Sequence, residues 1–571
     1  MSVTRRPVPE LPLAPRTRPI AADLHRSYPT GRKDFSRAFA GKPMALRLTS
    51  AGGRFPAGVR ARLVTTINAA GPGQTTEAPF EASADGRVMS CEIVPGRPGL
   101  FSFHAEFSTD GGQTWRHDPI PEAWVLVDPP QVDRMRLYTL IPAVSGPIAE
   151  WSARLPDIKA MGFDTVHLLP LTELDASRSP YSARALFRVE PGYLENPAGD
   201  GLAELEAFVE VARALGLRLC FDLVLNHVGV QSEIVRRAQE WVTPDESSPD
   251  GNRRARYYCD KGWLPWEDLV LIDYEHPSAR VRGEVWRYMT EYALFWAHYA
   301  DQTGGFVRFD NLHSSDKGFV DHVSAALRTT YPGVGIIAEY FTDVGTLLAT
   351  IPAWHLNLVL ATPWDARFVP SLREYLKYLH SVSGPVRWFM PVTSHDSGSP
   401  AQEFGAAEST RPRYVAAALL GTGATGITQG VEWGVARKIE FIGEQPRAPH
   451  EANPVYGTFL RRVNDVLVEE PALGRGTNCH FVDGGHDAVI AAFRTDDRPG
   501  RVGILVVCNF DIAGEQQVEI DLAPFLPPGV SAPVHCTDLL TGRAHEFAAA
   551  KLRHTIAPCG VHAFRIDQTG A

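Results

Sequence analysis

The spacing of apolar and polar positions changes along the chain, and each change predicts a different kind of element. Between residues 44 and 127 the period is two: Phe101, Phe103, Ala105 and Phe107 alternate with polar neighbours, and Asp110-Gly111-Gly112 supplies a turn. That pattern predicts an antiparallel β-sandwich. Pro129-Pro130 marks a linker, and from residue 135 short apolar runs alternate with stretches of helical period. Eight such runs occur, at 135–140, 165–169, 218–224, 306–309, 335–338, 356–360, 388–392 and 425–428. Apolar runs alternating with helices are the mark of a parallel sheet built from βα units, and eight strands close a (β/α)8, or TIM, barrel. Helical segments fill the gaps, for example at 201–215, 278–300 and 453–469. After residue 474 strands return at 488–493, 502–508, 518–522 and 561–566, predicting a C-terminal antiparallel β-sandwich.

The expected organisation is an extended lead-in over 1–40, a β-sandwich over 41–130, a barrel over 131–472 and a β-sandwich over 473–571. Residues 228–277 are too many for a simple βα loop and predict a small subdomain inserted over the barrel mouth. A length of 571 residues, 44% hydrophobic and 21% charged, suits about three globular cores. A formal charge of −10 gives no footprint for nucleic acid. No run approaches the roughly 18 apolar residues that span a bilayer. Pro7, Pro9, Pro12, Pro15 and Pro19 interrupt the start, and no apolar run follows them. A cytoplasmic protein without nucleic-acid or membrane partners is therefore expected. The scattered cysteines Cys91, Cys220, Cys259, Cys479, Cys508, Cys536 and Cys559 form no CxxC or Cys/His cluster, so they are read as buried thiols, with no metal and no cofactor.

Reactive groups in such a barrel converge where strands end and βα loops begin. Four ends are polar: DLVLNH (222–227) after strand three, GFVRFDN (305–311) through strand four, IIAEY (336–340) after strand five and VTSHD (392–396) after strand seven. Each residue alone has a plain reading. An Asp after a strand is commonly a cap or turn former, and Asp222, inside an apolar run, is read as a structural group as readily as a substrate contact. Together, three carboxyl groups with Arg308, His227 and His395 at one mouth would be costly to desolvate unless paired and used. Glycoside cleavage needs such a set: one carboxylate at the anomeric carbon and one carboxyl group that protonates the leaving oxygen, roughly 5 to 5.5 Å apart in a retaining enzyme. Asp310 and Glu339, one βα unit apart, can be so placed. Arg308, two residues before Asp310, points to the same side of the strand and is expected to hold Asp310 ionised.

In this order, these segments resemble the four signature regions of the α-amylase family, glycoside hydrolase family 13. EDLVLIDYEHP (267–277) resembles the family's motif near the end of its inserted subdomain. The resemblance implies Asp310 as nucleophile, Glu339 as general acid and base, and Asp396 as the group that binds two hydroxyls of the distorted sugar. It implies that His227, His395 and Arg308 complete the innermost sugar site, that Asp222 orients Arg308, and that Tyr181 is the stacking tyrosine. HLLPLTELDASRSPYS (167–182), VRFDNLHSS (307–315) and AEYFT (338–342) are similar to the transferase half of glycogen debranching enzyme, which places Asn311, His313 and Tyr340 among the substrate contacts. The DNxH piece also resembles maltose-1-phosphate maltosyltransferase, which departs from the His-Asp pattern of the fourth region.

The resemblance thus implies a retaining enzyme acting on an α-glucan or maltooligosaccharide, in the first place a 4-α-glucanotransferase. Alternatives are an amylase-type or debranching hydrolase, a maltosyltransferase using a sugar phosphate, and a non-catalytic glucan-binding protein. Trp263, Trp266, Tyr340, Phe341, Trp364 and Trp433 fall in mouth loops and are read as subsite walls or as loop packing. Asn226 resembles a calcium-holding position in many amylases, but no acidic cluster surrounds it, so a structural hydrogen bond is expected. The N-terminal sandwich is read as bracing the barrel.

Overall fold

The computed structural model describes residues 6, 8, 9, 11, 35–50, 53–117, 122–259, 262–448, 453–526, 533–547 and 550–567. Its centre is a closed parallel barrel of eight strands: Arg136–Leu140, Thr165–Leu168, Arg218–Leu223, Phe306–Phe309, Gly335–Ala338, Leu358–Leu360, Trp388–Pro391 and Ala424–Thr428. We number them one to eight. Nearly every position in them is buried, because the lumen lies on one face and helices on the other. The longest cover is helix Ala279–Gln302, whose Tyr292, Phe295, Trp296 and Tyr299 join the main core.

Register is set by close approach. A Cβ on Gly305 would lie 2.0 Å from the Leu219 carbonyl oxygen, so only glycine lets the chain enter strand four against strand three. The ladder then places Asp222 opposite Arg308, and Phe309 opposite Ala338 on strand five.

The third βα connection carries the inserted subdomain. Strand His227–Gly229 pairs with one arm, Gly262–Leu271, of a hairpin whose other arm is Arg254–Cys259. After strand two a smaller hairpin, Thr172–Leu174 with Ala183–Val189, rises from the mouth; the sequence pattern did not predict it.

On the N-terminal side one sheet contains Phe35–Phe39, Ala123–Asp128, Gly99–Ser108, Arg60–Thr65 and Thr76–Pro79 in that order, and a second contains Met44–Thr49, Val88–Ile93 and Glu81–Ala82. The lead-in expected over 1–40 needs correction: most of 1–34 lies outside the described residues, but Phe35–Phe39 pairs in parallel with Ala123–Asp128. The sheet therefore begins before residue 41, with a partner about ninety positions away that no local pattern reveals. Alternation along Gly99–Ser108 is also broken. Ser102 is buried beside Phe101, because its carbonyl accepts from the Thr65 hydroxyl at 2.7 Å.

The C-terminal part is antiparallel. One sheet runs Cys479–Val482, Val489–Thr495, Arg501–Asn509, Val561–Asp567, Val534–Asp538, Ala544–Phe547, and Gln516–Asp521 pairs with Lys551–Ile556 to face it. Among the described residues no helix is long and apolar enough to cross a membrane.

Candidate active site

Strand four ends in a turn that aims its last acid at the mouth. Asn311 takes a left-handed backbone conformation (φ 45°, ψ 46°), which Asn tolerates better than most side chains. The Asp310 amide donates to the Leu223 carbonyl at 3.1 Å, and the Glu339 amide to the Phe309 carbonyl at 3.0 Å, so both acids sit one step beyond their strands. The Asn311 backbone N–H then donates to Glu339 Oε2 at 2.9 Å.

Arg308 is the hub. Its Nη1 donates to Asp222 Oδ2 at 2.6 Å and to Asp310 Oδ1 at 3.1 Å, and its Nη2 lies 2.9 Å from Glu339 Oε2. The Asp222 side chain is fully buried, those of Asp310 and Glu339 are nearly so, and that of Asp396 is 56% exposed at the lip.

The charge state of Asp310 differs from the sequence expectation. Burial and the neighbouring Glu339 push its carboxyl well above the ordinary range, against the pull of Arg308. The reason is arithmetic of charge: one guanidinium faces three carboxylates, so its field is shared. Asp222, buried too, is nevertheless held low by Arg308 and by the hydrogen bond from His167. Three carboxyl groups around one cation thus favour keeping a proton among them.

Around this hub stand neutral imidazoles. Burial lowers His395 to about 3 and His227 to about 4. The His395 Nε2 lies 2.7 Å from the Tyr181 hydroxyl and 3.1 Å from Asp396 Oδ2, while Tyr181 donates to Asp222 Oδ2 at 3.0 Å. The contacts are satisfied together when Nε2 carries the His395 proton. The Tyr181 and His395 rings are stacked at 5.8 Å, and the Phe441 ring closes on both from the loop after strand eight. His227 reaches the Tyr181 carbonyl at 3.1 Å, tying the inserted subdomain to the small hairpin.

A cavity of about 1020 Å³ runs over these groups, and its walls include Tyr181, Phe441, Trp263, Trp266, His313 and Phe341. Tyr340 also lines it, although its ring is buried against Trp354 and lies under Lys317. Trp364 belongs to a second cavity of about 400 Å³, which shares Glu339, Phe341 and Asp396 and descends into the barrel lumen past Cys220 and Ile337. Trp433 sits in the turn Val431–Trp433 and lines neither.

His167 was missed by the sequence reading. It lies within strand two, with Nε2 3.2 Å from Asp222 Oδ2 and Nδ1 3.2 Å from the Thr139 hydroxyl. A histidine inside the apolar run VHLLP was the available signal. The expectation for Asn226 also needs correction. Its amide is buried, and among the described residues neither Oδ1 nor Nδ2 has a hydrogen-bond partner; the contact to the subdomain is made by its backbone carbonyl with Ile272 N–H at 3.1 Å. Among the described residues no group of three or more His, Cys, Asp or Glu could hold a metal ion.

Residues 130–250 match the family model described as glycogen debranching enzyme, glucanotransferase domain. An α-1,4-glucan:maltose-1-phosphate maltosyltransferase of Rhodospirillum rubrum is 28% identical over 246 residues, 39% of this chain and 33% of that protein. A second of the same name, from Streptomyces coelicolor, is 25% identical over 462 residues, 73% of this chain and 64% of that protein. The chain thus spans between a third and two thirds of the length of these relatives. Among solved structures, a noncanonic maltogenic α-amylase from Thermotoga neapolitana superposes with a TM-score of 0.61 at 18% identity, over 76% of this chain and 99% of that one. A cyclomaltodextrinase gives 0.59 at 15% identity, over 95% and 99%. At these identities the likeness is one of fold.

Proposed function

Since the chain belongs to the α-amylase family, glycoside hydrolase family 13, and is related to its glucanotransferases, we propose that it is a retaining transglycosidase acting on α-glucans. One observation carries this: Asp310 and Glu339, at the ends of adjacent strands, share the Arg308 guanidinium at the floor of the open cleft. In the first step Asp310 attacks the anomeric carbon while Glu339 gives its proton to the departing oxygen. In the second, Glu339 takes the proton of an incoming sugar hydroxyl, which displaces Asp310. Asp396 binds hydroxyls of the distorted ring, Tyr181 supplies the face it stacks on, and His227 and His395 offer neutral hydrogen-bond groups. Asp222 and His167 hold Arg308 in place.

The donor is read first as maltosyl phosphate, with an α-1,4-glucan as acceptor; the curated relatives support this. A second reading, transfer of glucan segments as a 4-α-glucanotransferase, draws on the debranching-enzyme model and on the cleft wall. Among the described residues that line the larger cavity there is no Lys or Arg to meet a phosphate. Incubation with maltose 1-phosphate and glycogen, beside incubation with maltotriose alone, separates them. Phosphate release matched by chain extension supports the first, and a phosphate-free ladder of longer chains supports the second. Release of reducing ends alone, in step with substrate loss, overturns transfer in favour of hydrolysis.

A further inference from the structure

The seam between the barrel and the C-terminal sheet holds a charge cluster that the glycosyl chemistry does not use. Edge strand Cys479–Val482 pairs with Val489–Thr495, and the register sets Cys479 directly opposite Arg494. Such cross-strand partners carry their side chains side by side on one face. Arg494 is completely buried. Its Nη1 donates to the Gly421 carbonyl at 3.2 Å, and its Nη2 to those of Leu473 at 2.6 Å and Arg475 at 2.7 Å. All these acceptors are neutral, and among the described residues its Nε has no hydrogen-bond partner. A guanidinium does not deprotonate in proteins. A full positive charge is therefore buried here, and among the described residues no carboxylate pairs with it.

Helix Val369–Ser381 contributes a second cation. His380 sets Nδ1 2.7 Å from the Gly476 carbonyl and Nε2 2.7 Å from the Leu420 carbonyl. Carbonyl oxygens only accept, so both ring nitrogens carry hydrogen and the ring is an imidazolium. It packs on Phe481, two positions along the strand from Cys479 and hence on the same face. Arg475, four residues before Cys479, directs its guanidinium to Asp497 at 3.3 Å. Charges taken out of water are costly unless paired, and among the described residues the acid beside both cations is the Cys479 thiol.

We propose that Cys479 is held as a thiolate between Arg494 and His380 and is a site of oxidative thiol modification in this protein. Burial works against the charged sulfur, but the charges of Arg494 and His380 keep its thiol below the ordinary range. His380 is raised in turn, its burial outweighed by Cys479. Cys479 is partly exposed, whereas Cys91, Cys220, Cys508, Cys536 and Cys559 are buried. With hydrogen peroxide the thiolate sulfur attacks one oxygen, an S–O bond forms as the O–O bond breaks, and the departing hydroxide takes the proton of the new S–OH and leaves as water. Sulfur is oxidised to the sulfenate and the peroxide is reduced; the same two cations that held the thiolate face the product anion.

The test is iodoacetamide labelling of the folded full-length chain, mapped by peptide mass. Labelling of Cys479 is expected to quicken less than about threefold between pH 6.5 and 8.5, where an ordinary thiol quickens about fiftyfold. Hydrogen peroxide followed by dimedone is expected to tag the same residue, and Cys479→Ser to lose the tag. Arg494→Met, where it folds, is expected to restore the steep dependence. Two results overturn the proposal in the wild-type chain itself: a steep pH dependence at Cys479, or a Cys479 that stays unlabelled until urea unfolds the protein.

Discussion

Two buried charge clusters stand at opposite ends of the barrel, and they are balanced in opposite senses. At the end where strands six and seven begin, Asp128 from the N-terminal sheet accepts from Arg37, from Arg387 at 2.7 Å and from Asn357 at 2.8 Å. The remaining N–H groups of Arg37 meet the carbonyls of Pro385, Leu356 and Asn357. Two guanidiniums thus serve one carboxylate, and every bond is between fixed partners. At the mouth the ratio is reversed, with Arg308 serving Asp222, Asp310 and Glu339. A cluster rich in cations has nothing to titrate near neutral pH and can only hold elements together. A cluster short of cations must keep a proton, and a kept proton beside a carboxylate is what acid and nucleophile require.

The sharpest way to break this contrast is at the mouth. Asp310→Asn is expected to lower glycosyl-transfer turnover on the order of 10⁴-fold, as loss of a covalent nucleophile does, while the urea unfolding midpoint barely moves. Retained turnover would show that the pair is not the reacting one.

Asp128→Asn should do the reverse. It leaves Arg37 and Arg387 buried against a neutral amide, and breaking a buried pair in this way costs about 3–5 kcal/mol. Urea denaturation measures the loss; turnover per folded molecule is expected to stay within twofold (roughly 0.4 kcal/mol) of wild type.

Asp222→Asn sharpens the account of shared charge. The Asp222 carboxylate is among the groups that raise Asp310, and its removal leaves more of Arg308 for Asp310 and Glu339. The acid limb of the kcat/KM profile is therefore expected to move to lower pH, by about one unit on the usual scale of a lost neighbouring charge. A limb that stays put or moves upward would contradict the sharing.

A last effect, spread over the acid range, concerns the neutral imidazoles. A histidine whose folded pKa is depressed costs nothing at pH 7, where both states are neutral. As pH falls below 6.5 the unfolded chain takes up a proton that the folded His395 refuses until about 3 and His227 until about 4. Stability should therefore drop as pH falls from 6.5 toward 4, each group adding a slope of about 1.4 kcal/mol per pH unit. Urea midpoints of His395→Asn and His227→Asn across that window are expected to show a shallower fall than wild type.

Much of the mouth was legible in the sequence, and little of the seams. Apolar runs mark the strands, so the residues just beyond them, Asp310, Glu339 and Asp396, were found without coordinates. Tyr181 was legible through its motif, but not the hairpin that lifts it or the ring contact with His395. His167 was hidden because one polar residue in an apolar run reads as noise until Asp222 is seen beside it. The Asp128 cluster joins residues from both ends of a segment of some 350 positions, and the pairing of Cys479 with Arg494 and His380 depends on a strand register and a docked helix. Neither leaves a local pattern.

The chain by itself determined which side chains end the barrel strands, because burial on both faces dictates an apolar run and its end dictates the loop. Only the tertiary structure decided how many charges face one another there. The field at a carboxyl group depends on distances to partners scattered along the chain and on the water removed between them, and neither quantity is written in the order of residues.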